Sequence, residues 1–344
     1  MPCDSTAAPT PPARAGTGSR WLLYALGGGL GHLTRAAALA RAARARGHAP
    51  TLLVNSSFAP AVDLRGWLAG VEVIELSPRL DRVEVGRRVG ALIEDRAWDT
   101  LVVDTFPRGL GGELVELFEK VPAAIAKIWV HRLLCDEYVA WADLHRFADH
   151  YDRILVPGEP APLAGHSRAV STAPWLLCDR SELLDRAAAR RALGADGDRL
   201  LVLVTGTGRQ DEIDQSEAVA ESLSRALGDQ AKVRFSAPGR PENRWPLLPL
   251  LAGVDVLVGA GGYNTVHEAR ATATPLLALA RPRRYDRQAQ RLRPNELVRA
   301  PDELVERVRR ALARGPRGPV PDYDNGVHHA VTAIEAVLAE RSRA

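Results

Sequence analysis

From residue 20 onward, short apolar runs alternate with longer stretches whose apolar positions recur at helical spacing. Short runs that lack in/out alternation suit strands buried on both faces, and strands separated by helices build a parallel α/β sheet. The pattern predicts strands over 21–26, 51–55, 71–76, 100–104, 123–130 and 153–157, with helices over 33–46, 82–96 and 113–119. A proline-rich stretch without periodicity, 158–185, marks a domain boundary. The plan then resumes with a helix ending at Leu193-Gly194 and strands over 200–204, 232–236 and 254–259. A proline-led strand after Pro275, a helix over 301–314, a Pro/Gly break at 316–321 and an amphipathic stretch over 327–340 complete it. We therefore expect a tail over 1–19, a first domain over 20–170, a second over 171–321 and a C-terminal segment over 322–344.

Length supports two domains, since 344 residues exceed one ordinary core. Apolar residues make up 46% and charged residues 25%, as in other globular chains. Charge balance is close, +3 from 45 basic and 42 acidic residues, and only Lys120, Lys127 and Lys232 are lysines. Arginine is thus a background feature, and "RAARARGH" (41–48) reads as a solvated helix face, not a nucleic-acid patch. Cys3, Cys135 and Cys178 lie too far apart for a zinc or disulfide pattern. The first 19 residues, rich in Pro, Ala, Thr and Ser, lack the apolar core of a signal peptide or anchor and suit a disordered tail. With no run long enough to span a membrane, the simplest compartment is the cytosol.

Candidate chemistry gathers where strands meet helices. Glycines occupy three such junctions, at 27–31, 206–208 and 259–262. In open α/β sheets ligands bind at the carboxyl ends of strands, where helix N-termini offer free N–H groups to anions. A dinucleotide fingerprint fits poorly, because the third glycine position falls on His32 or Thr34 and the second strand ends in Asn55. No P-loop lysine stands near any of the three turns.

The segment 259–290, "GAGGYNTVHEARATATPLLALARPRRYDRQAQ", holds the parts that a nucleoside-diphosphate sugar requires. Backbone N–H groups of Gly261, Gly262 and the neighbouring Asn264 and Thr265 could hold a diphosphate. A carboxylate at Glu268 could accept from both ribose hydroxyls. Thr265 and Glu268 also have the spacing of a capping box, which would make the glutamate structural.

This segment resembles the C-terminal domain of GT-B glycosyltransferases, above all the group that adds N-acetylglucosamine to lipid I in bacteria. "GGGLGH" (27–32) resembles that group's N-terminal glycine loop, and "VVDTFPRGLGGEL" (102–114) resembles further glycosyltransferases related to it. The likeness spans most of 20–320 but is motif-grade only over 27–35, 102–114 and 259–288.

The resemblance implies the GT-B fold: two Rossmann-like domains with parallel sheets facing a cleft, the acceptor on the first and the donor on the second. The final helix would pack back on the first domain. Diphosphate contacts would fall to Gly261 and Gly262, with Thr207 and Gly208 adding a phosphate contact. Glu268 would take the ribose, and Asp286 and Gln288 the sugar hydroxyls. His32 falls on the histidine of the N-terminal loop. The implied setting is cell-envelope or secondary-metabolite glycosylation, with a UDP sugar as donor substrate and no cofactor. Three departures stand out: Ala273 replaces a usual glycine, "TATP" (272–275) is less apolar than expected, and one extra residue precedes Asp286.

Transfer to a hydroxyl requires a base for its proton and stabilisation of the departing diphosphate. His32 stands at a helix start, where an imidazolium is disfavoured, and Asp104 at a strand end could orient it. Gly28, Gly29 and Gly31 would form the acceptor-side loop. Arg108 is a candidate for an anionic, even lipid-linked, acceptor, which would bring the protein to the membrane surface. Ala260 stands where many retaining GT-B enzymes carry a glutamate, which favours inversion. "DGD" (196–198) reads as a turn instead of a metal site, because it precedes a strand. The alternatives are a sugar-nucleotide epimerase and a non-catalytic nucleotide-sugar binder.

Overall fold

The computed structural model describes residues 18–195, 197–315 and 317–343. Most of the expected tail (1–17), Asp196 of the "DGD" turn and Pro316 of the Pro/Gly break lie outside the described residues.

The first sheet has seven strands: β1 (Arg20–Ala25), β2 (Ala49–Val54), β3 (Glu72–Glu75), β4 (Thr100–Asp104), β5 (Ala126–Val130), β6 (Arg153–Pro157) and β7 (Ala169–Thr172). All pair in parallel, in the order β3-β2-β1-β4-β5-β6-β7. The second has five: β8 (Leu200–Thr205), β9 (Ala231–Ser236), β10 (Val256–Gly259), β11 (Leu276–Leu279) and β12 (Leu297–Val298). These are also parallel, in the order β12-β11-β10-β8-β9. Strand order reverses between β1 and β4 in one sheet and between β8 and β10 in the other, the places where such sheets open a ligand crevice.

Alternate residues of β1 serve two cores. Trp21, Leu23 and Ala25 pack with the helix Leu30–Ala45, whereas Leu22, Tyr24 and Leu26 pack toward the helix Arg82–Glu94. The alanine-rich helix Leu30–Ala45 is buried on nearly every side from Leu33 to Ala40, as expected of a helix that is apolar all round. Its core continues into Leu201, Leu203 and Leu257 of the second sheet and into the final helix, Val327–Arg341. That final helix lies against the helix Leu30–Ala45 and strands β5–β7. One apolar mass therefore joins the two sheets.

Basic residues around 41–48 are not uniformly solvated, a departure from the sequence reading. Arg41 is half-buried and bonds Leu177 O and Glu182, and His48 is buried with Nε2 3.0 Å from Glu335 Oε1. They hold C-terminal segments against the first sheet, a partnership that sequence separation conceals. A helix expected over 113–119 contracts to Leu114–Leu117. The Glu113 side chain instead accepts from Tyr24 Oη, from Gly111 N at 2.7 Å and from Leu110 N at 3.2 Å, folding the glycine loop onto itself. Strand β7 lies in the proline-rich stretch and carries the first sheet past residue 170 to Thr172.

The departure at Ala273 has a backbone consequence. The helix Tyr263–Ala271 closes with Thr274 N donating to Ala269 O (2.7 Å) and Ala273 N to Arg270 O (3.1 Å), and Ala273 takes φ +51. This is a Schellman closure whose left-handed position normally carries glycine. Ala273→Gly is expected to raise stability by about 1 kcal/mol, read as a higher denaturant midpoint. A midpoint unchanged or lowered would contradict strain at this turn.

Candidate functional site

A cleft of about 360 Å³ opens where the two sets of strand ends face each other. Residues of the first set, Gly28–His32, Thr105, Phe106 and Arg132–Leu134, line one side. The other side holds Thr205–Gly208, Gly262–Thr265, Glu268, Arg283–Asp286 and Gln288. Contacts bridging the rim include Trp245 Nε1 donating to Thr34 Oγ1 at 3.0 Å, Asn243 Nδ2 to Ala61 O at 2.6 Å and Cys135 N to Tyr285 O at 2.9 Å.

The glycine run after β1 divides into two roles. A Cβ on Gly27 would lie 2.3 Å from the His32 ring, so this residue makes room for the imidazole. Gly28, Gly29 and Gly31 have open space beside them and leave backbone exposed to the cleft. His32 lies in the first turn of the helix Leu30–Ala45. Its Nδ1 is 2.6 Å from Asp104 Oδ2 at the end of β4, the neighbouring strand. Since an ionised carboxylate only accepts, the Nδ1–H of His32 donates to Asp104, and the ring lines the cleft.

Asp104 is itself held by a residue absent from the sequence reading. Arg35 Nε donates to Asp104 Oδ1 (2.7 Å) and Nη2 to Oδ2 (2.6 Å), with a third bond to Thr105 Oγ1 (2.8 Å). Burial pushes the Asp104 carboxyl up, but Arg35 and His32 outweigh it and hold the group far below the ordinary carboxylate range. Thr105 takes φ +65, a conformation β-branched residues rarely adopt, and so turns the chain sharply directly after this carboxylate. The i, i+3 spacing of His32 and Arg35 on one helix was the available signal.

On the opposite side, the helix Tyr263–Ala271 begins with Gly262 as its N-cap. Thr265 and Glu268 are inside the helix, so the capping-box alternative does not hold. Glu268 is buried, and burial alone raises its carboxyl to about 8. Thr207, Gly208, Asn264 and Thr265 line the cleft beside it. Gly261 does not line it: its carbonyl accepts from Arg291 Nη1 at 2.7 Å, and a Cβ there would press on Gln288.

Asp286 and Gln288 line the cleft with part of their capacity already used. Asp286 Oδ1 pairs with Arg291 Nη2 at 2.6 Å, and Gln288 Oε1 accepts from Arg281 N at 2.9 Å. Burial raises the Asp286 carboxyl, and Arg132 and Arg291 more than reverse this. Arg108 lies away from the cleft, contrary to expectation. The turn after Phe106 carries its guanidinium to 4.5 Å from the centroid of the Phe147 ring. Around His32 the cleft wall is apolar instead, with Phe106 stacked at 5.6 Å and Leu133 and Leu134 nearby.

Among the described residues, no helix is long and apolar enough to cross a membrane, and no three His, Cys, Asp or Glu side chains form a metal-binding group.

No protein-family model matches the chain, and no curated protein matches it in sequence. Solved structures do match in fold. The glycosyltransferase of kitacinnamycin superimposes with a TM-score of 0.55 at 17% identity, over 94% of this chain and 96% of that one. A Streptomyces glycosyltransferase complexed with thymidine diphosphate gives 0.55 at 15% identity, over 94% and 96%. Acinetobacter baumannii MurG gives 0.50 at 13% identity, over 92% and 99%. Two parallel sheets facing one cleft, matched along nearly the whole chain, give this protein the GT-B fold of these glycosyltransferases.

Proposed function

We propose that the cleft transfers a sugar from a nucleoside-diphosphate sugar to an acceptor hydroxyl, with inversion and without a metal. The observation that carries this reading is His32, held by Asp104 at 2.6 Å and lining the same cleft as the Gly262 helix start. A base on one wall and an anion-binding helix end on the other are the two parts the reaction needs.

In the proposed step the acceptor oxygen forms a bond to the anomeric carbon as its proton passes to His32 Nε2. The bond from that carbon to the diphosphate oxygen breaks, and its electron pair leaves with the diphosphate. Asp104 stabilises the imidazolium that results. Gly262, Asn264 and Thr265, with Thr207 and Gly208 beside them, receive the diphosphate, and Glu268 receives the ribose. Asp286 and the free amide nitrogen of Gln288 face the sugar. Ala260, where a retaining enzyme would carry a glutamate, supports single displacement.

A uridine donor is expected from the sequence resemblance, and the thymidine diphosphate held by a structural neighbour adds dTDP sugars as equal first probes. The apolar wall formed by Phe106, Leu133 and Leu134 suits an acceptor with an apolar body beside its hydroxyl, lipid-linked or otherwise. We place the protein in the cytosol, at the inner membrane face if its acceptor is lipid-linked.

Incubation with UDP and dTDP hexoses, followed by NMR, tests the chemistry with water as a slow acceptor. Release of nucleoside diphosphate and a sugar of opposite anomeric configuration is expected. An epimerised donor would assign an isomerase instead, and intact donor after long incubation with folded protein would contradict transfer.

A further inference from the structure

Arg132 follows β5, one strand beyond Asp104, and lines the cleft while being 8% exposed. Its Nε and Nη2 are buried with no hydrogen-bond partner, and its nearest carboxylate, Glu159, stands 3.4 Å from Nε in loose contact. The other two buried arginines here differ. Arg35 grips Asp104 with two bonds, and Arg291 bonds Asp286, Glu159 and Gly261 O. A buried guanidinium without acceptors is costly unless something completes it. Its central carbon lies 4.7 Å from the centroid of the Tyr263 ring, the first residue of the helix that Gly262 caps. Free N–H groups of a helix start and an unfilled guanidinium thus converge on one region of the cleft.

We propose that Arg132 is a donor-binding catalytic residue, whose guanidinium reaches across from the first sheet to bond the diphosphate that the Gly262 helix start receives from the second. This rests on the transferase reading above. As the bond from the anomeric carbon breaks, negative charge grows on the diphosphate oxygen, and Arg132 donates to it from the side opposite the helix dipole. The donor then links the two sheets of the fold, and its binding draws Arg132 toward Gly262. Removing the arginine leaves the protein folded, because Arg35 and Arg291, its like-charged neighbours, keep their own carboxylates.

Calorimetric titration of UDP, dTDP and GDP, each beside its free nucleoside, tests this on wild type, Arg132→Met and Arg132→Lys. The diphosphate that wild type binds is expected to bind Arg132→Met about ten- to a hundredfold more weakly, with nucleoside affinity unchanged. Arg132→Lys is expected to fall between, since an ammonium keeps the charge but loses the fork. If the methionine variant does not fold, the lysine variant carries the test by the same comparison. Diphosphate affinity equal to wild type in the folded variants would overturn the role of Arg132. Wild type that binds none of the diphosphates would instead overturn the transferase reading itself.

Discussion

His32→Ala is expected to lower kcat/KM for transfer by about 10²- to 10⁴-fold while leaving donor affinity unchanged. The separation follows from position. His32 lies on the first-sheet wall, whereas the residues proposed to hold the donor, Arg132 apart, lie on the second. The ring is partly exposed and bonds only Asp104, so its loss should spare the fold. Asp104 is a less clean test, because its removal would leave Arg35, fully buried, without its counter-charge. That costs about 3–5 kcal/mol by itself. Circular dichroism and a donor titration on His32→Ala, followed by transfer rates, check the claim. A rate within a few-fold of wild type would remove His32 from the mechanism.

Glu268 gives the second large effect, in the pH dependence of stability. With its carboxyl raised to about 8 by burial, the folded chain holds this proton at neutral pH. The unfolded chain releases it near the ordinary glutamate value of about 4.3. Between these values the folded state binds more protons, so this group's contribution is complete in acid and declines as pH rises toward 8. The loss amounts to a few kcal/mol on the order of one pKa unit per 1.4 kcal/mol. Glu268→Gln cannot ionise and should abolish the decline, making the variant more stable than wild type at pH 8.5 and close to it at pH 5. Denaturant titrations of both proteins at the two pH values measure the difference. Parallel curves would show that the carboxyl is not kept neutral in the empty cleft. Ribose hydroxyls that donate to Glu268 favour its ionised form, so donor binding at neutral pH should also release a proton into the buffer.

Strands buried on both faces were legible because nothing polar interrupts them: "TLVVD" and "RILVP" match β4 and β6 residue for residue. The glycine junctions were legible as positions, and all three lie at strand ends bordering the cleft. Strand β7 was not, since "AVST" is an edge strand with half-buried, partly polar residues and carries little pattern. Helix limits near Glu113 moved because a buried side chain took up the loop's N–H groups, a tertiary effect. Arg35 and Arg132 escaped notice for a compositional reason. In a chain where all but three of 45 basic residues are arginine, no single arginine is conspicuous until its burial is known. The same background made Arg108 look available for an acceptor, although its guanidinium is stacked on Phe147.

Whether this cleft is a donor site at all is tested most directly by calorimetric titration of UDP, dTDP and GDP sugars into wild type and Glu268→Ala, without added metal. Selective binding to one nucleotide class is expected in wild type, with affinity at least about tenfold weaker in the variant. Folded wild type that binds none of these sugars would contradict a donor site and leave the glycine junctions as turns of a GT-B scaffold.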